Sequence, residues 1–590
     1  MPSPIYRPLD PSRKEIRYLH LRPGVGSQDL AASLVHADLS DPDAAAYETI
    51  SYAWGHASRR TTLDIDGHIL SVPETAAAAL RCMRLSDQDR VLWIDSICIN
   101  QADVEERGSQ VAMMADIYSE GACTLAHVDM PDCDFDLVVS SIAAVRSKCE
   151  HELSSLRDLG PRLAKEEFGR SQTLTLGLGD TAITALQQFL DAAWFRRLWV
   201  LQEVTLSKRC VLHCGSGTIE LDHVFEFVEI IARDPMRLIA DSSFSLIAGP
   251  NIAVIVGSSK MARQVYERVY SLQGLISSCL LYGVTDDRDH VYALLGVYQK
   301  SNKRSTLPPD LIPDYTQDAS IVFLRACQFA MTESQNLDLW GMSWLFRPGA
   351  EDWPSWAWRI RNFGDDPVET LSANRMKSSG VVGDCGACGS SAVFRYTQPV
   401  FQGERGQILS VRGLPIALPI EVTRVLDGLE PAVLSAFLTQ VMDLFRPLQQ
   451  SVGASLQKLS TILAAAWNFT AREPGDSDAE DLLDLLRSVE TGSDMPWQLT
   501  PYLTSLRLAC MHRRFFTTEY GIMGLGPSQL EAGDVIVILA GCKWPVALRR
   551  CPREQYRLLG VCYIGGTYMD GIVANNLVEK GIPLMQFNII

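Results

Sequence analysis

Two hydrophobic periods alternate along the first third of the chain. Residues 47–55 (YETISYAWG) form an aromatic and β-branched run stopped by Gly55, which predicts a strand. Residues 62–72 (TLDIDGHILSV) alternate around Asp66-Gly67, a hairpin signal because its tight turn favours residues that accept positive φ. Residues 73–85 (PETAAAALRCMRL) predict a helix: Pro73 suits a first turn and the alanines have high helix propensity. Residues 90–99 (RVLWIDSICI) are almost wholly apolar, as in a strand buried on both faces. The next segment, 102–121, predicts a helix with Val104, Val111, Met114 and Ile117 at core spacing, and 123–130 (CTLAHVDM) another buried strand. This order predicts an α/β core of parallel strands, with 47–51 and 91–94 in one sheet.

Further along, 186–215 reads as one long helix running into a strand. The run 286–298 (DDRDHVYALLGVY) reads as a helix capped by Asp286 or Asp287. After residue 514 the chain turns into short β runs between glycines, which predicts a small antiparallel barrel or curled sheet. Polar stretches at 147–172, 299–310, 372–406 and 471–496 punctuate the chain, and 479–490 (AEDLLDLLRSVE) is a short amphipathic helix within the last. The reading is an N-terminal extension (1–46), the α/β core (47–215), a helical region (216–300), a mostly helical middle with linkers (301–510) and a C-terminal β module (511–590).

Composition narrows the function classes. The chain has 590 residues, 47% of them hydrophobic and 21% charged, which excludes a disordered chain or a fibrous rod. Lys+Arg 53 against Asp+Glu 70 leaves a net charge of −17, a poor match to nucleic acid or an anionic membrane. The 15 cysteines are too sparse for a disulfide scaffold. No secretory leader is read at the N-terminus. The most apolar stretch, 245–257, is short and broken by Pro250 and Asn251, so no membrane span is expected. These features point to a cytoplasmic protein with free thiols.

Three segments, 47–55, 91–121 and 194–204 (WFRRLWVLQEV), resemble the hallmark segments of the fungal heterokaryon-incompatibility (HET) domain. Residues 286–297, 353–360 (WPSWAWRI) and the C-terminal β runs are similar to segments that follow it in long members. The resemblance implies self/non-self recognition and programmed cell death on fusion of unlike hyphae, through protein partners and self-association. The core also resembles, more distantly, the TIR domain, and so implies a TIR-like parallel sheet. Many TIR domains hydrolyse NAD with a glutamate four residues after a tryptophan. By position these are Glu203 and Trp199, with NAD as a substrate and no cofactor implied.

On a helix Trp199 and Glu203 share a face. Nicotinamide leaves NAD as a neutral group, so the reaction needs a carboxylate beside an oxocarbenium-like ribosyl centre rather than a general acid. The loops that would join Glu203 follow strand ends, around Trp54-Gly55 and Asp95 to Asn100, with Arg197 beside them. Plainer readings stand next to these. Glu203 pairs with Arg196 or Arg197, Trp199 is core, Tyr52 and Trp54 are core aromatics, and Asn100 or Asp103 caps the next helix with Glu106 closing a capping box. Cys210 and Cys214 (CVLHC) and the Cys385/Cys388 pair are far apart in sequence, and no metal site is expected from them.

Overall fold

The computed structural model describes residues 5–590 apart from 11, 44, 57, 131, 149–177, 234–250, 341–352, 359–398, 429, 465–475, 492–502, 504–505, 507–508, 565–567 and 570. The chain divides into two units, one built on Met1–Val322 and the other on Phe323–Arg361 and Ser372–Ile590.

The first unit is organised by a nine-stranded sheet. Its strands are β1 (Glu15–Leu21), β2 (Ala31–Asp38), β3 (Glu48–Tyr52), β4 (Arg60–Ile65), β5 (His68–Pro73), β6 (Arg90–Trp93), β7 (Thr124–His127), β8 (Cys210–Cys214) and β9 (Gly217–Glu220). They lie in the order β5-β4-β2-β1-β6-β3-β7-β8-β9. The centre, β6-β3-β7-β8, is parallel, and Thr49 pairs with both Trp93 and Thr124, so the two strands expected to share a sheet do so. β4 and β5 form the hairpin expected at Asp66-Gly67, both with positive φ. Two strands come from the stretch read as an N-terminal extension, and β1 pairs directly with β6. β1 is buried almost throughout, Arg17 included.

Helix α1 (Glu74–Met83) connects the β4–β5 hairpin to β6, and α3 (Val104–Glu120), preceded by the short α2 (Asp95–Cys98), connects β6 to β7. Pro73 stands just before α1 rather than in its first turn. α3 buries Met114 and Ile117 as expected, but Val104 is 37% exposed because the first turn lies at the surface. Asp103 caps α3, accepting from the Glu105 and Glu106 amides, while Glu106 turns away from the capping box to Arg17.

The expected single helix over 186–205 is instead α4 (Asp180–Leu190), a 3₁₀ turn (Ala193–Arg196) and α5 (Leu198–Thr205). Arg197 is extended at the junction, with φ −75 and ψ 129. Its neighbours pair with a distant strand-like residue: Gly283 N–H donates to Arg196 O at 2.7 Å and Leu198 N–H to Gly283 O at 3.0 Å. This pairing takes backbone groups that a continuous helix would use internally. α6 (Leu221–Arg233), α7 (Ile252–Gln264), α8 (Leu272–Ser278) and α9 (Asp289–Ser301) complete the unit. At the start of α9 the Asp286 carboxylate accepts from the Arg288 amide at 3.1 Å and binds the Arg288 guanidinium at 2.7 Å.

The second unit contains helices and a barrel. Helices α10 (Pro431–Val452), α11 (Leu456–Leu463) and α12 (Asp476–Thr491) share an apolar cluster that includes Leu434, Leu438, Val441, Leu459 and Leu482. The amphipathic segment 479–490 is thus helical. Strands β11 (Ile408–Ala417), β15 (Val535–Leu539), β16 (Val546–Cys551), β17 (Gln555–Val561) and β18 (Met585–Ile589) close on themselves through a β11–β18 pairing, with β10 (Val400–Gln402) added outside β11. The expected C-terminal barrel is present. Its closing strand β11 comes from about a hundred residues earlier, and its β17–β18 seam is parallel. A second sheet orders β12 (Pro419–Val422), β13 (Arg513–Thr518) and β14 (Met523–Pro527). No described helix is long and apolar enough to cross a membrane.

Candidate functional site

β6 and β7 flank β3, so the chain leaves β3 in one direction to reach β6 and passes back over it to reach β7. Right-handed crossovers then place α1 and α3 on opposite faces of the sheet. The loops after β3 and β6 consequently diverge, and open α/β sheets bind ligands at such a crevice. Trp54 lies in the first loop and Asp95 opens the second. They meet across the crevice, the Trp54 indole donating to Asp95 Oδ2 at 2.9 Å.

Glu203 reaches this region from α5. That helix is buried on nearly every side, Trp199 being the partly exposed exception. Gln202 accepts from the Gly296 amide of α9 at 3.1 Å, and a Cβ at Gly296 would meet Gln202 Oε1 and lie 2.9 Å from Ala115 Cβ. Glu203 itself is 2% exposed. Its Oε2 accepts from the Ser51 hydroxyl, which in turn accepts from the Trp194 indole at 2.8 Å. Ser51 points to this side because strand residues alternate, and Thr49 shares its face. Thr49 continues the polar contacts: its hydroxyl bonds Thr124 at 2.6 Å, Thr124 bonds Ser207, and Ser207 donates to the Glu203 carbonyl. A line of hydroxyls thus fixes α5 against β3 and β7.

Burial pushes the Glu203 carboxyl up to about 7; the Arg197 charge and the Ser51 hydrogen bond oppose this and Asp95 adds to it. Asp95 is also raised, by desolvation first, against Arg197 and its bond from Trp54. The Arg197 guanidinium makes no hydrogen bond or ion pair among the described residues. Tyr52 Oη and Ser96 Oγ are sealed from solvent close to one another beside this cluster. The arrangement sets two carboxyls and one cation beside each other at the crevice.

Trp54, Asp95, Arg197 and Glu203 are therefore brought together. Gly55 stands exposed at the rim with φ +68, where a Cβ would lie 2.8 Å from the Thr75 methyl. Asn100 serves its own turn, accepting from the Ala102 amide at 3.3 Å while its amide donates to Glu106 at 2.7 Å. Trp199 donates to Asp289 at 2.9 Å, and Tyr315 donates to the same carboxylate at 2.6 Å. Burial pushes Asp289 up to about 6. Glu203 is buried rather than lying on an exposed rim. Sequence reasoning missed Ser51, Trp194, Asp289 and Tyr315; the usable signal was a hydroxyl in an otherwise apolar buried strand, which needs a partner. Cys210 and Cys214 are buried thiols, and Cys385 and Cys388 lie outside the described residues.

Comparison with known proteins bears on the same segment. Residues 47–203, from the start of β3 to Glu203, match the family model of the heterokaryon incompatibility protein (HET) domain. Residues 491–582 match the Het-6 beta-barrel domain. Over 98% of its length the chain is 24% identical to heterokaryon incompatibility protein 6, OR allele, of Neurospora crassa, covering 96% of that protein. The HET domain match omits β1 and β2, and the barrel match omits β11 and β18, so both matched segments are completed by strands outside them. No solved structure matches the chain, and the TIR likeness rests on sequence segments alone.

Proposed function

We propose that the protein acts in self/non-self recognition and triggers programmed cell death when unlike fungal hyphae fuse, working in the cytoplasm through protein partners and self-association. The observation that carries this reading is the end-to-end match to an incompatibility protein together with both domain matches. The test is forced fusion of two strains that differ only in this chain. Growth arrest and death of the fused compartments are expected, and healthy mixed hyphae would contradict the reading.

A second reading, NAD cleavage, is favoured by one observation: a buried carboxyl raised to about 7 beside Arg197 and Asp95 at the sheet's crevice. Enzyme sites commonly hold such perturbed groups. In that reaction nicotinamide leaves with the electrons of the N-glycosidic bond, Glu203 stabilises the ribosyl cation, and water adds at the freed carbon with loss of a proton. Incubation of purified protein with NAD, alone and under crowding, should release nicotinamide, and Glu203→Gln should abolish the release. No turnover by the wild type would leave a signalling protein without this chemistry.

A further inference from the structure

One wall of the crevice depends on a very short helix. α2 carries Asp95, which accepts from Trp54 at 2.9 Å, and Ser96, which lies beside Tyr52. A single turn is too short to be held by its own backbone bonds. Ile94 gives α2 no side-chain cap, and a helix end leaves its last carbonyls without a helical donor. Side chains from elsewhere supply the donors. Gln101 Nε2 donates to the Asp95 carbonyl at 2.9 Å, the Tyr6 hydroxyl to the Ile97 carbonyl at 3.0 Å, and Arg17 Nη1 to the Cys98 carbonyl at 3.0 Å. Tyr6 is fixed in its turn: Arg17 Nη2 donates to the neighbouring Arg7 carbonyl at 2.6 Å, and the Arg17 guanidinium carbon stands 5.1 Å from the centre of the Tyr6 ring. The segment before β1 is thus tied to α2. Tyr6 and Arg17 fall outside the 47–203 HET match, whereas the helix they hold falls within it.

We propose that Tyr6 and Gln101 are positioning residues of the crevice, clamping α2 by its carbonyls so that Asp95 stays against Trp54 and close to Glu203. The N-terminal segment is then a working part of the site. The clamp presupposes that the crevice is the functional site, as proposed above, but calls on no substrate. Its loss has two local consequences. The Trp54 indole loses a fixed acceptor. The Asp95 charge, which pushes the Glu203 carboxyl up, moves away, so the Glu203 midpoint falls. Water admitted by a looser α2 acts in the same direction.

The test is solvent exchange of the Trp54 indole N–H in the full chain, followed by NMR on isotope-labelled tryptophan and assigned by its loss in Trp54→Phe. The Trp194 indole, bonded to Ser51 at 2.8 Å, is the reference within the same unit. Tyr6→Phe and Gln101→Ala should each quicken Trp54 exchange roughly tenfold relative to Trp194. Each should also lower the Glu203 midpoint, read by infrared difference against Glu203→Gln. Arg13→Ala, which breaks an exposed pair with Asp38 in the same N-terminal region, should change neither reading. Should Tyr6→Phe not fold, Gln101→Ala decides alone. Unchanged Trp54 exchange, or Trp54 and Trp194 quickened alike as general destabilisation would do, overturns the clamp. A wild-type Glu203 midpoint near 4.5 removes the crevice reading instead, and the two failures are told apart because Trp54 exchange reports the clamp whatever Glu203 does.

Discussion

Two inward-facing glutamates on neighbouring helices are treated in opposite ways. Glu106 on α3 has both oxygens on the fully buried Arg17, at 2.6 and 2.9 Å, and also accepts the Asn100 amide. Glu203 on α5 is set deeper still, and its carboxyl meets a neutral hydroxyl. The first arrangement cancels a charge and ties β1 to α3. The second leaves a proton equilibrium near neutrality, which structural packing does not need. The identity of the partner, more than burial itself, decides how a sunken carboxyl is accommodated.

The largest effect should come from breaking the cancelled pair. Arg17→Met leaves Glu106 buried without its cation, and urea unfolding should register a loss of roughly 3–5 kcal/mol. A loss under about 1 kcal/mol would mean that the N-terminal strand is not held by this pair.

The next effect concerns pH. Glu203 rises from an ordinary 4.5 to about 7 in the folded protein, so the native state holds its proton where the unfolded chain has released it. Its stabilising contribution is therefore full below about pH 4.5 and is lost as pH rises through about 7. Glu203→Gln should flatten the fall in stability between acid and neutral pH by about 3 kcal/mol, read from urea midpoints across that range. Identical pH profiles would show that Glu203 is ionised throughout.

A smaller change is expected from Ser51→Ala. It removes the donor to Glu203 and strips the Trp194 indole of its acceptor, at about 2 kcal/mol, and should raise the Glu203 midpoint because the bond favours the charged form. Trp199→Phe should be milder still, about 1 kcal/mol by chemical denaturation. It breaks the bond to Asp289 while Tyr315 continues to hold that carboxylate.

The sequence made the parallel centre legible because buried strands are apolar runs and the helices between them keep a helical period. The hairpin followed from Asp66-Gly67 alone. β1 was not legible: EIRYLHL places an arginine in mid-strand, made tolerable by the distant Glu106 and by the Arg7 and Cys98 carbonyls. The break between the 3₁₀ turn and α5 was equally hidden, since it depends on Gly283, far along the chain. β11 escaped for the same reason, a barrel strand separated from the others by the helices it precedes. In the crevice, Trp54, Asp95, Arg197 and Glu203 could be named because they follow strand ends or share a recognised segment. The assignment of Trp199 to Asp289 rather than to Glu203's surroundings could not, because side chains four residues apart on a helix can still find different partners.

The most direct test of the central claim is the titration of Glu203 itself. Infrared difference spectra of wild type minus Glu203→Gln, recorded across pH, isolate the carbonyl band of a protonated carboxylic acid at this position. The account requires that band to persist to near-neutral pH and to vanish with a midpoint at about 7. A band that disappears with a midpoint near the ordinary 4.5 would show that Glu203 is an ionised structural group like any other and would contradict the account.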